Sequence, residues 1–434
     1  MTLSLIKKSQ LYFIFSFLAT IAVGTPLLKL PGMWRGETPL AWSDALFTAT
    51  TTVTTNGLMT VKLTDFTFSG QLLLLVMIQI GGLGIMGLSA SIMLMLSKKF
   101  SYADTLMLST ISDNFAVRRT EGLTRFITVY TFCCEGAGFA ILFPAFLWAG
   151  TPWAEALWQA VFLAVSGFCH AGISHFGSAS MIGQSAVVKL TVAGLIIVGS
   201  LGFYCVYDLY LHYRRRSRLS AQTVIVLFTT AILLFGGMIL IWSVQCVEKQ
   251  PISWLDAFFQ STATRSSGFT SVNMEKMAGG SVALIIVLML IGAAPGSTGG
   301  GVRVTSLALA VLAIFNTFQG NPRVLIRHRE IPLSNVMKAF VLILTMLTLV
   351  ALGTVLIQAL SDCDSEWAFF HTVSAISSTG MELRPEEGLS TAAKLLLIIL
   401  MFIGRVGLFT FFLFLLDRER RSRLIYPKEL IVVN

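Results

Sequence analysis

An eleven-residue stretch recurs four times along the chain, and its residue types suit the handling of a bare cation. The copies are Phe47–Gly57 (FTATTTVTTNG), Phe162–Gly172 (FLAVSGFCHAG), Phe258–Gly268 (FFQSTATRSSG) and Phe370–Gly380 (FHTVSAISSTG). Each sets a hydroxyl six residues before its glycine, at Thr51, Ser166, Thr262 and Ser374. Each glycine is followed by an apolar residue, Leu58, Ile173, Phe269 or Met381. The pattern reads as a short helix that ends in a turn at glycine, where backbone conformations closed to other residues are open. Four such turns around one axis would aim carbonyl oxygens at a central point, which is how a dehydrated alkali cation is held inside a membrane. The same spacing also fits four re-entrant turns that only cap a helix bundle.

The elements that must position these turns are legible in the flanks. Trp42/Asp44, Trp153/Glu155 and Trp254/Asp256 precede three copies, and Glu366-Trp367 precedes the fourth in inverted order. An acid in a first helical turn suits the helix dipole, and Trp suits a membrane interface. Long apolar runs surround each copy, at Leu11 to Leu28, Phe68 to Leu96, Leu123 to Trp148, Val187 to Tyr210, Val224 to Val247, Val282 to Phe318, Val336 to Leu360 and Ala393 to Leu416. Each is near or beyond the ~20 residues that span a hydrocarbon core. The repeats predict an all-α integral membrane protein. Its eight transmembrane helices form four helix–pore-helix–helix repeats around a pseudo-four-fold pore. Their bounds are 1–98, 99–218, 219–329 and 330–434, the last with a cytoplasmic tail.

Composition agrees. The 434 residues are 55% hydrophobic and 12% charged, with mean hydropathy +0.78, where soluble proteins carry ~25% charged residues. The net charge of +9 would suit a nucleic-acid partner, but its placement does not. Basic residues cluster at Lys7/Lys8, Lys98/Lys99, Arg118/Arg119/Arg125, Arg214 to Arg218, Arg323/Arg327/Arg329 and Arg418 to Lys428, in the intervals before, between and after the four copies of the repeat. By the positive-inside rule these clusters and both termini face the cytoplasm of a cell (inner) membrane, where they would also meet lipid headgroups. The six cysteines form no CxxC pair and read as small apolar residues. Lys7/Lys8 before an apolar run resembles a signal peptide, but reads here as an uncleaved first helix. There is no HExxH and no nucleophile–base pair, so an enzyme is not expected.

A second signature follows each turn. Ile80-Gly81-Gly82-Leu83-Gly84, Val198-Gly199-Ser200-Leu201-Gly202, Ile291-Gly292 and Ile403-Gly404-Arg405-Val406-Gly407 lie 24 residues past the turn glycine in copies one, three and four and 27 past it in copy two. Small residues let membrane helices approach closely, and packing alone accounts for most of these glycines. The third is interrupted by Gly292-Ala-Ala-Pro-Gly-Ser-Thr-Gly-Gly-Gly301, predicting a broken helix at 292–303. Irregular backbone at that depth survives only where protein buries it or it lines a cavity. Without a following Lys-Ser/Thr it is not a phosphate-binding loop.

TTNGLM, HAGI, TRSSGF, STGM, APGSTGGGVRVT and MFIGRVG resemble the Trk/Ktr/HKT superfamily of potassium transporters, over nearly the whole chain. The layout, starting at the first repeat, is closer to the Ktr than to the Trk membrane subunits. The resemblance implies a homodimer, one pore per chain, and a separate cytoplasmic ring that binds nucleotides. It implies filter glycines at Gly57, Gly172, Gly268 and Gly380. Coordinating backbone would come from Thr54, Thr55, Asn56, Cys169, His170, Ala171, Ser266, Ser267, Ser378 and Thr379. It implies a gating loop at Gly296, Ser297, Thr298, Gly299, Gly300 and Gly301, with Arg405 beside it. The transported ion would be K⁺, with Na⁺ as a second candidate and no covalent cofactor; a Na⁺- or H⁺-coupled symporter is the alternative to channel-like permeation. Cys-His-Ala-Gly and Thr-Thr-Asn-Gly depart from the family's commoner turns, while four glycines favour the K⁺-type filter. Arg265 is expected to brace the filter from behind, Glu135 to hydrogen-bond a neighbouring pore helix, and the His170 ring to offer a pH-dependent block.

Overall fold

The computed structural model describes residues 2–95, 120–176, 181, 183–216, 218–321, 323–326, 329–384 and 389–407. The basic clusters at Lys98/Lys99, Arg118/Arg119 and the tail from Arg418, together with Arg327, lie outside the described residues. The first repeat comprises α1 (Thr2–Leu28), the short α2 (Trp42–Thr54) and α3 (Phe68–Met95). The second has α4 (Thr120–Trp148), the short α5 (Trp153–Phe168), α6 (Ala186–Ser200) and α7 (Phe203–Arg215). The third has α8 (Ala221–Val247), the short α9 (Trp254–Ala263), α10 (Gly279–Leu290) and α11 (Val304–Phe318). A two-residue antiparallel pair, β1 (Leu325–Ile326) with β2 (Arg329–Glu330), leads to the fourth repeat. That repeat has α12 (Leu333–Leu360), the short α13 (Ser365–Ile376) and α14 (Thr391–Val406).

The packing closes on itself. Each trailing helix lies against the short helix of the next repeat: α3 on α5, α6 on α9, α10 on α13, and α14 back on α2. The short helices are therefore ringed by their own repeat and by the preceding one. In α8 the buried residues Val226, Thr230, Leu234, Gly237, Ile241 and Gln245 follow a helical stripe, while Phe228, Ile232, Phe235 and Ile239 are exposed. The exposed face thus carries large apolar side chains, while the small and polar residues Thr230, Gly237 and Gln245 lie on the buried stripe beside Val226, Leu234 and Ile241, the arrangement a hydrocarbon solvent selects. Phe126–Trp148, Ala221–Val247 and Leu333–Leu360 are each long and apolar enough to cross a membrane.

The trailing helices differ from the expected continuous spans. The span Val187 to Tyr210 is two helices bent by 90°, joined at Gly202 with φ 80°. The helix α3 is broken at Gly84 (φ 71°) and α14 ends at Gly407 (φ 92°). The third is interrupted between Leu290 and Val304, as its glycines predict. The last glycine of each Gly-x-x-Gly signature is therefore a break, while the first is a packing site. A methyl on Gly81 would strike the Val53 carbonyl, one on Gly199 the Phe168 carbonyl, and one on Gly404 the Ile376 carbonyl. Each trailing helix thus rests backbone-to-backbone on the end of its own short helix. Gly292 instead abuts Gly300 of its own interruption.

This geometry makes a direct prediction. Gly404→Ala overpacks the Ile376 carbonyl and is expected to cost about 1–3 kcal/mol of stability. Gly136→Ala in α4, where nothing lies within 4 Å of the added methyl, is expected to cost nothing. Thermal unfolding of the two detergent-purified variants checks the contrast; equal midpoints would mean that Gly404 does not set the contact.

Candidate functional site

The site is built at the ends of the four short helices. Each helix stops where a residue two before the glycine turns left-handed: Thr55 (φ 48°), His170 (φ 60°), Ser266 (φ 76°) and Ser378 (φ 53°). Such values are uncommon outside glycine, and here they recur at one position of every copy. The glycines follow at φ 111°, 64°, 75° and 73° for Gly57, Gly172, Gly268 and Gly380. The alternation re-aims successive peptide groups.

The hydroxyls six residues upstream hold three of the bends. Thr51 Oγ1 accepts the Gly57 N–H at 3.0 Å. Ser166 Oγ donates to the Ile173 carbonyl at 2.7 Å and accepts its N–H at 3.1 Å. Ser374 Oγ donates to the Met381 carbonyl at 2.8 Å. The third copy breaks the rule: Thr262 Oγ1 bonds back to Phe258 within its own helix.

The four bends converge. A methyl built on Gly57 would lie 2.9 Å from the Ala171 carbonyl oxygen, and one on Gly172 would lie 2.6 Å from that of Ser267. One on Gly268 would strike the Thr379 carbonyl, and one on Gly380 the Asn56 carbonyl. The contacts run from copy one to two, three, four and back to one. Only glycine fits at any of the four, and peptide oxygens line the closure.

Side chains tie the ring together unevenly. Asn56 Nδ2 donates to the Ala375 carbonyl at 2.8 Å. The His170 ring nitrogens lie 2.9 Å from the carbonyls of Ser266 and Ile196. The ring is fully buried with a carbonyl facing each nitrogen, and a neutral imidazole, having one N–H, donates to one of the two. Glu135 takes a 3.0 Å bond from Gln79 Nε2 and approaches Cys169 Sγ at 3.9 Å. It joins α3, α4 and the end of α5, as its position suggested. Buried Arg265 gives no partner to Nε or Nη2 among the described residues, and Thr55 Oγ1, Asn56 Oδ1, Ser267 Oγ and Ser378 Oγ are also unpaired there.

The interruption between α10 and α11 lies against this ring. Gly300 N–H donates to Ser266 Oγ at 2.6 Å, and Thr298 Oγ1 donates to the Phe168 carbonyl at 3.1 Å. Arg405 donates to the carbonyls of Thr298 and Gly81, bridging the segment to α3. The sequence-predicted residues are thus brought to one place, with Arg405 beside the Gly296–Gly301 stretch. Arg303, which sequence reasoning did not single out, holds the same stretch through a 2.6 Å bond to the Gly299 carbonyl; its place directly after the glycine run was the available signal.

Charge pairs fix the outer ends of the short helices. Asp256 in the first turn of α9 meets Lys189 of α6 at 2.6 Å, and Asp44 in the first turn of α2 meets Lys394 of α14 at 2.7 Å. Both lysines stand fourth in a trailing helix, after a serine cap at Ser185 or Ser390. Trp42, Trp153 and Trp254 are exposed at the starts of their helices, whereas Trp367 is buried and stacks on His371 at 3.9 Å. Trp367 stands third in its helix where the other three stand first, and that places its ring in the core.

Comparison with known proteins places these features in context. The family model for TrkH, a cation transport protein, matches residues 19–420. The chain is 31% identical over 441 residues to the Ktr system potassium uptake protein D of Bacillus subtilis, covering 99% of this chain and 98% of that one. It is 30% identical over 430 residues to the Ktr system potassium uptake protein B of Vibrio alginolyticus, covering 96% and 93%. Among solved structures, the potassium transporter TrkH from Vibrio parahaemolyticus shares the fold with TM-score 0.69 at 18% identity, over 95% of this chain and 85% of that one.

The paired charges give the site a stability test. Lys189→Met leaves the half-buried Asp256 carboxylate without its cationic partner, held by Ser253, and is expected to cost about 1–2 kcal/mol, between the values for exposed and buried pairs. The double variant Lys189→Met/Asp256→Asn is expected to recover much of that loss. Unfolding midpoints of the two single variants and the double one give the coupling; strictly additive losses would show that the pair is not joined.

Proposed function

The chain belongs to the TrkH family of cation transport proteins, and from that premise we propose that it carries K⁺ across a membrane by channel-like permeation along the axis of its four bends. It is a multi-pass membrane transport protein and not an enzyme. The observation that carries the reading is the closed ring of four glycines, each against the carbonyl that precedes the next.

In this reading the selectivity filter is Thr54 to Gly57, Cys169 to Gly172, Ser266 to Gly268 and Ser378 to Gly380. A K⁺ ion entering it exchanges water for peptide oxygens. The number and field of those oxygens set the preference over Na⁺. Side chains cannot take this role at the level of the glycines, because there is no room for a Cβ. The stretch Gly296 to Gly301 is the gate. It lies against the ring, and Arg405 fastens it while adding a positive charge beside the path. His170 serves through its backbone and as a strut, its buried ring wedged between the Ser266 and Ile196 carbonyls. The chain acts as a homodimer in the cell (inner) membrane, termini inside, with a cytoplasmic nucleotide-binding ring on its basic loops and lipid around its apolar faces.

Uptake of K⁺, Rb⁺ and Na⁺ by the purified chain in liposomes tests this. K⁺ and Rb⁺ are expected to enter on their own gradient and voltage, with Na⁺ slower. Dependence on a Na⁺ or H⁺ gradient would select the symporter instead, and no K⁺ uptake would remove the reading. Arg405→Ala removes charge-assisted bonds to two carbonyls and is expected to raise uptake about ten-fold. A chain lacking residues 296–301 is expected to conduct faster still; flux equal to the intact chain would exclude the gate.

A further inference from the structure

The four bends are alike in backbone but not in side-chain bonding, and of the three that carry a hydroxyl at the left-handed position, Ser266 stands apart. Its residue is fully buried and each polar group it carries at the bend is engaged. Its carbonyl meets His170 Nδ1 at 2.9 Å. Its hydroxyl accepts the Gly300 N–H at 2.6 Å and donates to the Ser378 carbonyl at 3.1 Å. The equivalent hydroxyls of Thr55 and Ser378 have no partner among the described residues. The contact is close on both sides, since a methyl on Gly299 would lie 3.0 Å from Ser266 Oγ, and one on Gly300 would lie 2.6 Å from Ser378 Oγ.

We propose that the Ser266 hydroxyl is a latch that couples the gate segment to the filter carbonyl of Ser378. This rests on the pore-and-gate reading above. A hydroxyl has one proton and two lone pairs, so it can hold both bonds at once. Accepting from Gly300 polarises the O–H and strengthens its bond to the Ser378 carbonyl. With the segment seated, that oxygen is partly spent on the latch and offers a weaker field to a cation. When the segment leaves, the oxygen is released toward the axis. Coupling is reciprocal, so a K⁺ ion that claims the Ser378 oxygen loosens the segment. Ser266 is then a positioning residue that lets filter occupancy and gate position sense one another. The third copy's departure fits the role: Thr262 does not clip its bend, which leaves that bend to be set by its contacts with the segment.

The test uses the full chain with Ser266→Gly, which suits the positive φ, and Ser266→Ala as a second variant. Two readouts are taken: Rb⁺ uptake in liposomes, and hydrogen exchange of the peptide spanning 291–303 with K⁺ or choline present. Either variant removes both bonds of the hydroxyl, and loss of the one that holds Gly300 is expected to speed uptake and segment exchange about 2- to 10-fold. K⁺ is expected to hasten exchange in the unaltered chain and to lose that effect in both variants. In a chain lacking residues 296–301, Ser266→Gly is expected to add nothing to the rate. Unchanged segment exchange in both variants, or equal acceleration of uptake with the segment deleted, would overturn the latch alone. A segment-deleted chain no faster than the intact one would overturn the gate and the latch together. If that deletion does not fold, the K⁺ dependence of exchange decides by itself.

Discussion

Everything in this molecule follows from four backbones packed so closely that the peptide of one copy touches the glycine of its neighbour. Gly57, Gly172, Gly268 and Gly380 each lack the space for a single methyl, because the next copy's peptide occupies it. Side chains are excluded from that level, and only peptide groups can define it. Holding them there requires left-handed residues at Thr55, His170, Ser266 and Ser378, each strained relative to glycine. The strain persists because the surroundings over-determine it: clip hydroxyls from below, trailing-helix glycines from behind, and the neighbouring copies on either side.

The four-fold pattern is broken in an ordered way. At the fourth position of the trailing helices α6 and α14 stand Lys189 and Lys394, each paired to the acid of the next short helix. The same position in α3 is Gln71, which accepts the Trp158 indole N–H of α5 at 2.7 Å. In α10 it is Val282, buried and apolar. Three of the four seams therefore carry a polar tie at their outer ends. At the seam between the third and fourth repeats, which Ser266 links at the ring, the equivalent position is the apolar Val282.

Much of this was legible because the repeat is strict where geometry is strict. The turn glycines, the upstream hydroxyls and the glycine-rich interruption all stand at positions where one residue type fits. Legibility failed where a residue has two ordinary uses. Gly84, Gly202 and Gly407 read as packing glycines beside Gly81, Gly199 and Gly404, since an isolated glycine in a helix commonly packs. Only their positive φ separates the two uses. Ser266 was read for its carbonyl, because nothing in one sequence says which of three similar hydroxyls meets a distant N–H. The pairing of Glu135 with Gln79 was half legible: the buried acid was expected to reach a short helix, but its partner in α3 was not named. The short β1–β2 pair carried no signal at all, lying in a basic stretch read only for its charge.

The broken trailing helices explain one another. Ending α6 at Ser200 and restarting at Phe203 leaves backbone donors and acceptors without helical partners, which is costly away from water. The third repeat's interruption supplies the missing groups. Ala294 N–H donates to the Ser200 carbonyl and Phe203 N–H donates to the Gly296 carbonyl, both at 3.0 Å. Gly202 has no side chain because the Pro295 carbonyl lies where its Cβ would be. A plain helix in either repeat would leave the other's irregular backbone unsatisfied. The interruption is thus more than a flexible plug: it completes the bend in α6–α7, and moving it uncovers polar backbone in two repeats at once. In the proposed gate, that cost would favour two discrete positions over a continuum, because half-made hydrogen bonds in a dry interior are worse than either made or hydrated ones.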